Sequence, residues 1–129
     1  MTGASAPTVL LVEDDRFLRR ACAASLRQRG VQVVEASNGE EGLCRIRESM
    51  PALVLLDMLM PKLSGLDMLR ILRSEEATRS LPVIVLSNSS RAQDAEEAER
   101  LGIEGYFVKA DLSLRAVGDL VTRVLERQP

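Results

Sequence analysis

The chain has 129 residues, enough to build one hydrophobic core but not two. A net charge of −2 with no basic stripe argues against a nucleic-acid surface, and apolar runs no longer than a strand exclude a membrane-spanning helix. There is no histidine, which removes Ser-His-Asp and Cys-His catalysis and leaves any chemistry to carboxylates, lysine and hydroxyls.

Met1–Pro7 is small and polar, with no basic or apolar signal region, and reads as a disordered N-terminal segment ahead of one domain at 8–129. Thr8–Val12 is a strand-like apolar run that ends at Glu13, Asp14 and Asp15. Residues 16–29 form a helical pattern with Leu18, Ala21, Cys22, Ser25 and Leu26 on one side, stopped at Gly30. A second strand follows over Val31–Ala36. Ser37-Asn38-Gly39-Glu40 carries a capping-box pattern. The helix after it places Leu43, Ile46 and Met50 at core spacing and ends before Pro51.

Ala52–Leu56 is a wholly apolar third strand with Asp57 at its C-terminal end. The loop Met58–Leu63 leads to a second capping pattern, Ser64 to Asp67, and a helix with Leu66, Leu69 and Leu72 inward. Pro82–Leu86 is the fourth strand, followed by Ser87, Asn88, Ser89 and Ser90. The charged helix Arg91–Leu101 offers only Ala95, Ala98 and Leu101 to a core and is expected to be weakly anchored. Gly105–Val108 is a fifth strand ending at Lys109, and the last helix has a strong aliphatic stripe from Leu114 to Leu125. Cys22 and Cys44 are read as unpaired helix residues.

Five strands alternating with five helices, without polar alternation in the central strands, predict an α/β doubly wound parallel sheet. Such sheets present their functional groups at the C-terminal strand ends. Those ends carry Glu13, Asp14, Asp57, Ser87 and Lys109. Judged singly, each has a structural reading: a turn aspartate, a loop serine, acids favoured by a helix N-terminus, a solvated lysine. As a set, three carboxylates at one edge need a shared cation, and oxygen-only ligands favour Mg²⁺ over Ca²⁺. A lysine and a hydroxyl opposite them suit phosphoryl oxygens, with Asp57 as the nucleophile that forms an aspartyl phosphate.

These residues resemble the receiver domains of two-component response regulators over nearly the whole chain, Thr8 to about Glu126. The resemblance rests on LLVEDD at 10–15, LLDMLMP at 55–61 with Gly65, VIVLS at 83–87 and GYFVK at 105–109. It implies a flavodoxin-like sheet in the order 2-1-3-4-5. It also implies Mg²⁺ held by Glu13 (through water), Asp14, Asp57 and the Leu59 carbonyl. Asp57 matches the phosphoacceptor, Ser87 and Lys109 the phosphoryl-binding pair, and Ser87 and Tyr106 the switch pair. Leu59, Asn88 and Ser89 border the path of water to the site. Asp15 reads as a helix N-terminal residue rather than a ligand.

The partners implied are a sensor histidine kinase or a histidine phosphotransfer protein upstream, and an effector or an output domain downstream. No direct nucleic-acid or membrane contact is expected. The location implied is cytoplasmic, with the 91–125 surface as the place of partner docking or phosphorylation-dependent dimerisation. The first helix is expected to offer acidic and apolar residues to the kinase, as in relatives. Three departures stand out: Ala110 replaces the proline that commonly follows the lysine, with a trans bond expected there; Leu59 is apolar where many relatives carry an amide or acid; and Asn88 is larger than the small residue usual after the switch hydroxyl. The second predicts slow self-hydrolysis.

Three other readings compete. One is a receiver-like interaction module that is never phosphorylated. A phosphohydrolase resembling the haloacid dehalogenases would need an acid at 59, and a flavin protein would need a hydroxyl- and Gly-rich loop where this chain has three acids.

Overall fold

The computed structural model describes residues 7–60, 62–88 and 92–128. In chain order the elements are β1 (Thr8–Val12), α1 (Arg16–Gln28), β2 (Gln32–Ala36), α2 (Gly39–Glu48), β3 (Leu53–Asp57), α3 (Gly65–Ser74), β4 (Val83–Ser87), α4 (Ala92–Leu101), β5 (Gly105–Val108) and α5 (Leu114–Glu126). The strands form one sheet, parallel as the alternating pattern predicts and in the order β2-β1-β3-β4-β5 that the resemblance implies.

The continuous apolar runs of β1, β3 and β4 are covered on both faces, and successive residues go to opposite sides. Leu10, Val12, Val54, Leu56, Val83 and Val85 meet α2, α3 and α4. Val9, Leu11, Leu53, Leu55, Ile84 and Leu86 meet α1 and α5 through Cys22, Ala23, Leu26, Val117, Val121 and Val124. The edge strand β2 instead alternates between exposed and half-buried residues up to Ala36.

Several local details differ from the sequence reading. In α1 the buried alanine is Ala23, and Ala21 faces solvent. The α2 cap lies one residue later than expected. Asn38 accepts from the Glu41 amide at 2.9 Å, and Glu41 reaches back to the Ser37 amide at 2.6 Å. Met50 falls outside α2 and is 50% exposed. Asp57 is itself the last residue of β3. Ser64 caps α3 as expected, accepting from Asp67 at 3.1 Å. Gly30 and Gly102 follow α1 and α4 with φ of +83° and +89°, the left-handed stop that glycine adopts without strain. Both cysteines are free, Cys22 buried and Cys44 exposed. Ala110 lies in a single 3-10 turn, Lys109–Asp111, before Ser113 caps α5.

Helix α4 is held differently from its neighbours. Among the described side chains of α4 Ala98 is the fully buried one, contributing roughly 2 kcal/mol less than a buried leucine would. Polar links add to that at the C-terminal end. Arg73 of α3 donates to the carbonyls of Leu101 and Gly102, both at 2.8 Å, and to Thr78 at 3.2 Å. Arg70 pairs with Glu97. The expectation of a loosely anchored helix therefore holds for its apolar face but not for its last turn. The expected acidic face of α1 is also corrected: α1 contains no acidic residue, and its exposed first turns carry Arg16, Phe17 and Arg20.

Candidate functional site

Parallel register gathers the polar residues at one edge. Glu13 directly follows β1 and its amide still donates to Ala36 of β2. Asp57 stands opposite Leu86 in β4, and Ser87 opposite Val108 in β5. Lys109 follows β5 and reaches back across the edge. Its Nζ lies 2.9 Å from Glu13 Oε2, 2.8 Å from Glu13 Oε1 and 3.1 Å from Asp57 Oδ1. The contact with Oε1 is an ion pair without hydrogen-bond alignment, so that oxygen has no donor of its own.

Glu13, Asp14 and Asp57 each offer an oxygen within 4.8 Å of the others. Glu13 and Asp57 are buried, whereas Asp14 is exposed at the mouth. Asp57 Oδ1 accepts from the Leu59 amide at 3.3 Å, and Oδ2 is buried with no donor. Burial, then contact with Asp14, then the charge of Glu13 push the Asp57 carboxyl up to about 8, against the pull of Lys109. Burial acts in the same direction on Asp14. There it is outweighed by hydrogen-bond contact with Asp57 and Glu13 and by the charge of Lys109, so its carboxyl is held low. Burial lowers the Lys109 ammonium, but its contacts with Glu13 and Asp57 overcome this and raise it, so it stays charged. The Cys22 thiol behind the site is pushed up to about 11, by burial and then by Glu13, and is inert at neutral pH.

With Asp57 ionised, three carboxylates face one ammonium and leave an excess of negative charge that a single divalent cation matches. The candidate ligand atoms are all oxygens, the set that suits a hard divalent cation. The buried, donorless Asp57 Oδ2 is the feature such an ion would satisfy.

The other predicted positions are distributed around this centre. Ser87 is buried at the end of β4. Tyr106 is half-buried and packs against the α2–α4 core layer. Leu59 is 55% exposed and Asn88 is exposed. Ser89 and Arg91 lie outside the described residues. Asp15 caps α1, accepting from Leu18 at 3.1 Å, and is not one of the clustered acids.

Two supporting residues were given no role in the sequence reading, Gly65 entering it only as a motif residue. Arg19 donates to the Glu13 carbonyl at 2.9 Å and pairs with Glu35 of β2 at 3.1 Å, fixing the backbone beneath the acid. Nothing local marks Arg19, because Glu35 is sixteen residues away. Gly65 packs directly on the β3 terminus, where a Cβ would come within 2.0 Å of the Asp57 carbonyl oxygen. Its amide donates to Met58 at 2.9 Å. A glycine in the first turn of a helix, where its propensity is poor, was the available sign.

Residues 9–116 match the family model of the response regulator receiver domain. The chain is 33% identical over 116 residues to a gliding motility regulatory protein of Myxococcus xanthus, covering 90% of this chain and 15% of that protein. It is 35% identical to the transcriptional regulatory protein AfsQ1 of Streptomyces coelicolor, covering 86% of this chain and 51% of the relative. It thus spans about half or less of the curated relatives it matches. Among solved structures, a response regulator receiver protein from Pseudomonas putida superposes with a TM-score of 0.87 at 30% identity, covering 94% of this chain and 99% of that one.

Proposed function

The chain belongs to the response regulator receiver domains, and on that premise we propose that Asp57 is its phosphoacceptor, with Glu13, Asp14, Asp57 and the Leu59 carbonyl as the Mg²⁺ site. Phosphoacceptor function is that of the family, a self-phosphorylating and self-dephosphorylating module rather than a turnover enzyme. The observation that carries the assignment is the Asp57 carboxylate, buried, paired with Lys109 and left with one oxygen without a donor.

The residues divide the work as follows. Asp57 Oδ attacks phosphorus, and the bond from phosphorus to the donor's leaving group breaks. Bound Mg²⁺ would supply charge neutralisation for the carboxylate and the incoming phosphoryl group. Lys109, already at ion-pair distance, passes from the carboxylate to a phosphoryl oxygen, and the Ser87 hydroxyl donates to another. Ser87 and Tyr106 carry the change toward the 91–125 surface. The donor is a sensor histidine kinase or histidine phosphotransfer protein, and the receiver of the signal is an effector or an output domain. Among the described residues no helix is long and apolar enough to cross a membrane; a cytoplasmic location is the one that the family membership suggests.

Incubation with Mg²⁺ and a small-molecule phosphodonor, followed by intact mass, tests this. One phosphoryl adduct is expected, absent in Asp57→Ala and in EDTA. A folded, Mg²⁺-binding protein with no adduct would support the unphosphorylated interaction module instead.

Leu59 offers water no hydrogen bond at the mouth of the site, so the adduct should be long-lived. Leu59→Asn is expected to shorten its lifetime, measured as decay of the adduct mass at neutral pH. A wild-type adduct that decays as fast as the variant's would remove Leu59 from that role.

A further inference from the structure

We propose that Gly39, in the first turn of α2, is a positioning residue for the cation site. It has no Cβ, which lets the backbone of Leu63 lodge against α2 and sets the path of the connection leaving Asp57. The inference rests on the reading that Asp57, Asp14 and Glu13 hold a divalent cation.

A Cβ at Gly39 would stand 2.6 Å from the Leu63 carbonyl oxygen and 2.9 Å from Leu63 Cβ. The first of these is backbone, which cannot swing aside as a side-chain end can. On the other flank, Gly65 leaves room for the Asp57 carbonyl and closes the connection with its hydrogen bond to Met58. Met58 is in turn fixed to β4, its amide donating to Leu86 at 3.0 Å. The connection between β3 and α3 is thus wedged between two helix starts, each a glycine in contact with its backbone.

A third observation agrees with this. Lys62, next to Leu63, has φ of 70°, a left-handed conformation costing a non-glycine residue roughly 1–2 kcal/mol. Such strain persists where the surroundings over-determine the backbone. Leu59, whose amide meets Asp57 Oδ1, rides on this held segment. Pressure on Leu63 from α2 therefore falls on this connection, on the Gly65–Met58 hydrogen bond that closes it and on Leu59 beside the ligand oxygens.

The test measures Mg²⁺ affinity by calorimetry on the full chain, with amide exchange at Gly65 in EDTA as a cation-free readout. Gly39→Ala is expected to weaken Mg²⁺ binding by about tenfold, the usual cost of losing support behind a metal ligand, and to speed Gly65 exchange. Gly42→Ala is the matched control on the same helix. Its Cβ would meet only side-chain ends, Val12 Cγ2 at 3.0 Å and Met68 Cε at 3.1 Å. It should lower the melting temperature and leave Mg²⁺ affinity unchanged.

Wild-type affinity in Gly39→Ala, or an equal loss in Gly42→Ala, would overturn the proposal. Should Gly39→Ala not fold, Leu63→Gly loosens the same contact without adding bulk, removing the side chain that faces Gly39 and freeing the backbone that carries the carbonyl. Weaker Mg²⁺ binding there supports the clamp and unchanged binding overturns it. A wild-type chain that binds no Mg²⁺ would overturn the site reading itself, whereas tight wild-type binding with an unaffected Gly39→Ala overturns only this inference.

Discussion

Lys109→Ala is expected to melt far below the wild type when cations are removed, and to recover much of the difference when Mg²⁺ is added. Glu13 is fully buried, and Lys109, itself 10% exposed at its side chain, is the cation that faces both it and Asp57. Removing one partner from a buried pair leaves an uncompensated charge, which costs about 3–5 kcal/mol. That cost exceeds what truncating an exposed lysine would bring, since exposed pairs contribute roughly 1 kcal/mol or less. A divalent ion among the same oxygens replaces the lost charge, so recovery with Mg²⁺ should be larger in the variant than in the wild type. Phosphoryl uptake should not recover, because no ammonium is left for the phosphoryl oxygen. Thermal unfolding followed by circular dichroism, in EDTA and then in Mg²⁺, measures both effects. Equal melting temperatures in EDTA would mean that Glu13 and Asp57 do not depend on Lys109.

The second large effect is on pH dependence. Asp57 ionises near its ordinary 3.8 in the unfolded chain and near 8 in the folded, cation-free one. Between those values the folded state keeps a proton that the unfolded state has released. Stability therefore falls as pH rises through that window. Asp14, held low, acts in the opposite sense and lower on the scale, its contribution being lost as pH falls through its folded value. Asp57→Asn removes the ionising group while keeping its shape. The variant should show a flatter profile between pH 5 and 8 and a higher melting temperature at pH 8, by about 10 °C if a few kcal/mol are released. Urea unfolding in EDTA across that range checks the slope. A wild-type profile that rises with pH there would show that Asp57 is ionised throughout.

What was legible in the sequence follows from the range of the interactions. Leu53–Leu56 and Val83–Leu86 are uniformly apolar because both faces of their strands are covered, and the acids and the lysine stand at strand ends, so the parallel sheet and the site could be read together, while the strand order came from the family resemblance. Residues whose roles depend on distant partners could not. Arg19 looks like any surface arginine until β2 brings Glu35 to it. Gly39 looks like part of a capping pattern until Leu63 comes against it. The misplacement of Ala21 for Ala23 and of Met50 as core has a shared cause. A helical stripe on sequence spacing alone leaves its rotation and its end open, and the packing of α1 and α2 on the sheet settles both.

The grip of Arg73 on the last turn of α4 has a mechanical consequence. Taking Leu101 and Gly102 as the fulcrum, α4 is held there by Arg73 and tied again at Glu97 by Arg70. Its ten residues make a lever of about 15 Å. A tilt of roughly 10° about that fulcrum sweeps the far end through ~2–3 Å and leaves Leu101 almost in place. The far end is the one that follows Ser87 in the chain. Displacement under such a tilt grows along α4 from Arg100 toward Gln93, and the Arg70–Glu97 ion pair has to follow or break with it.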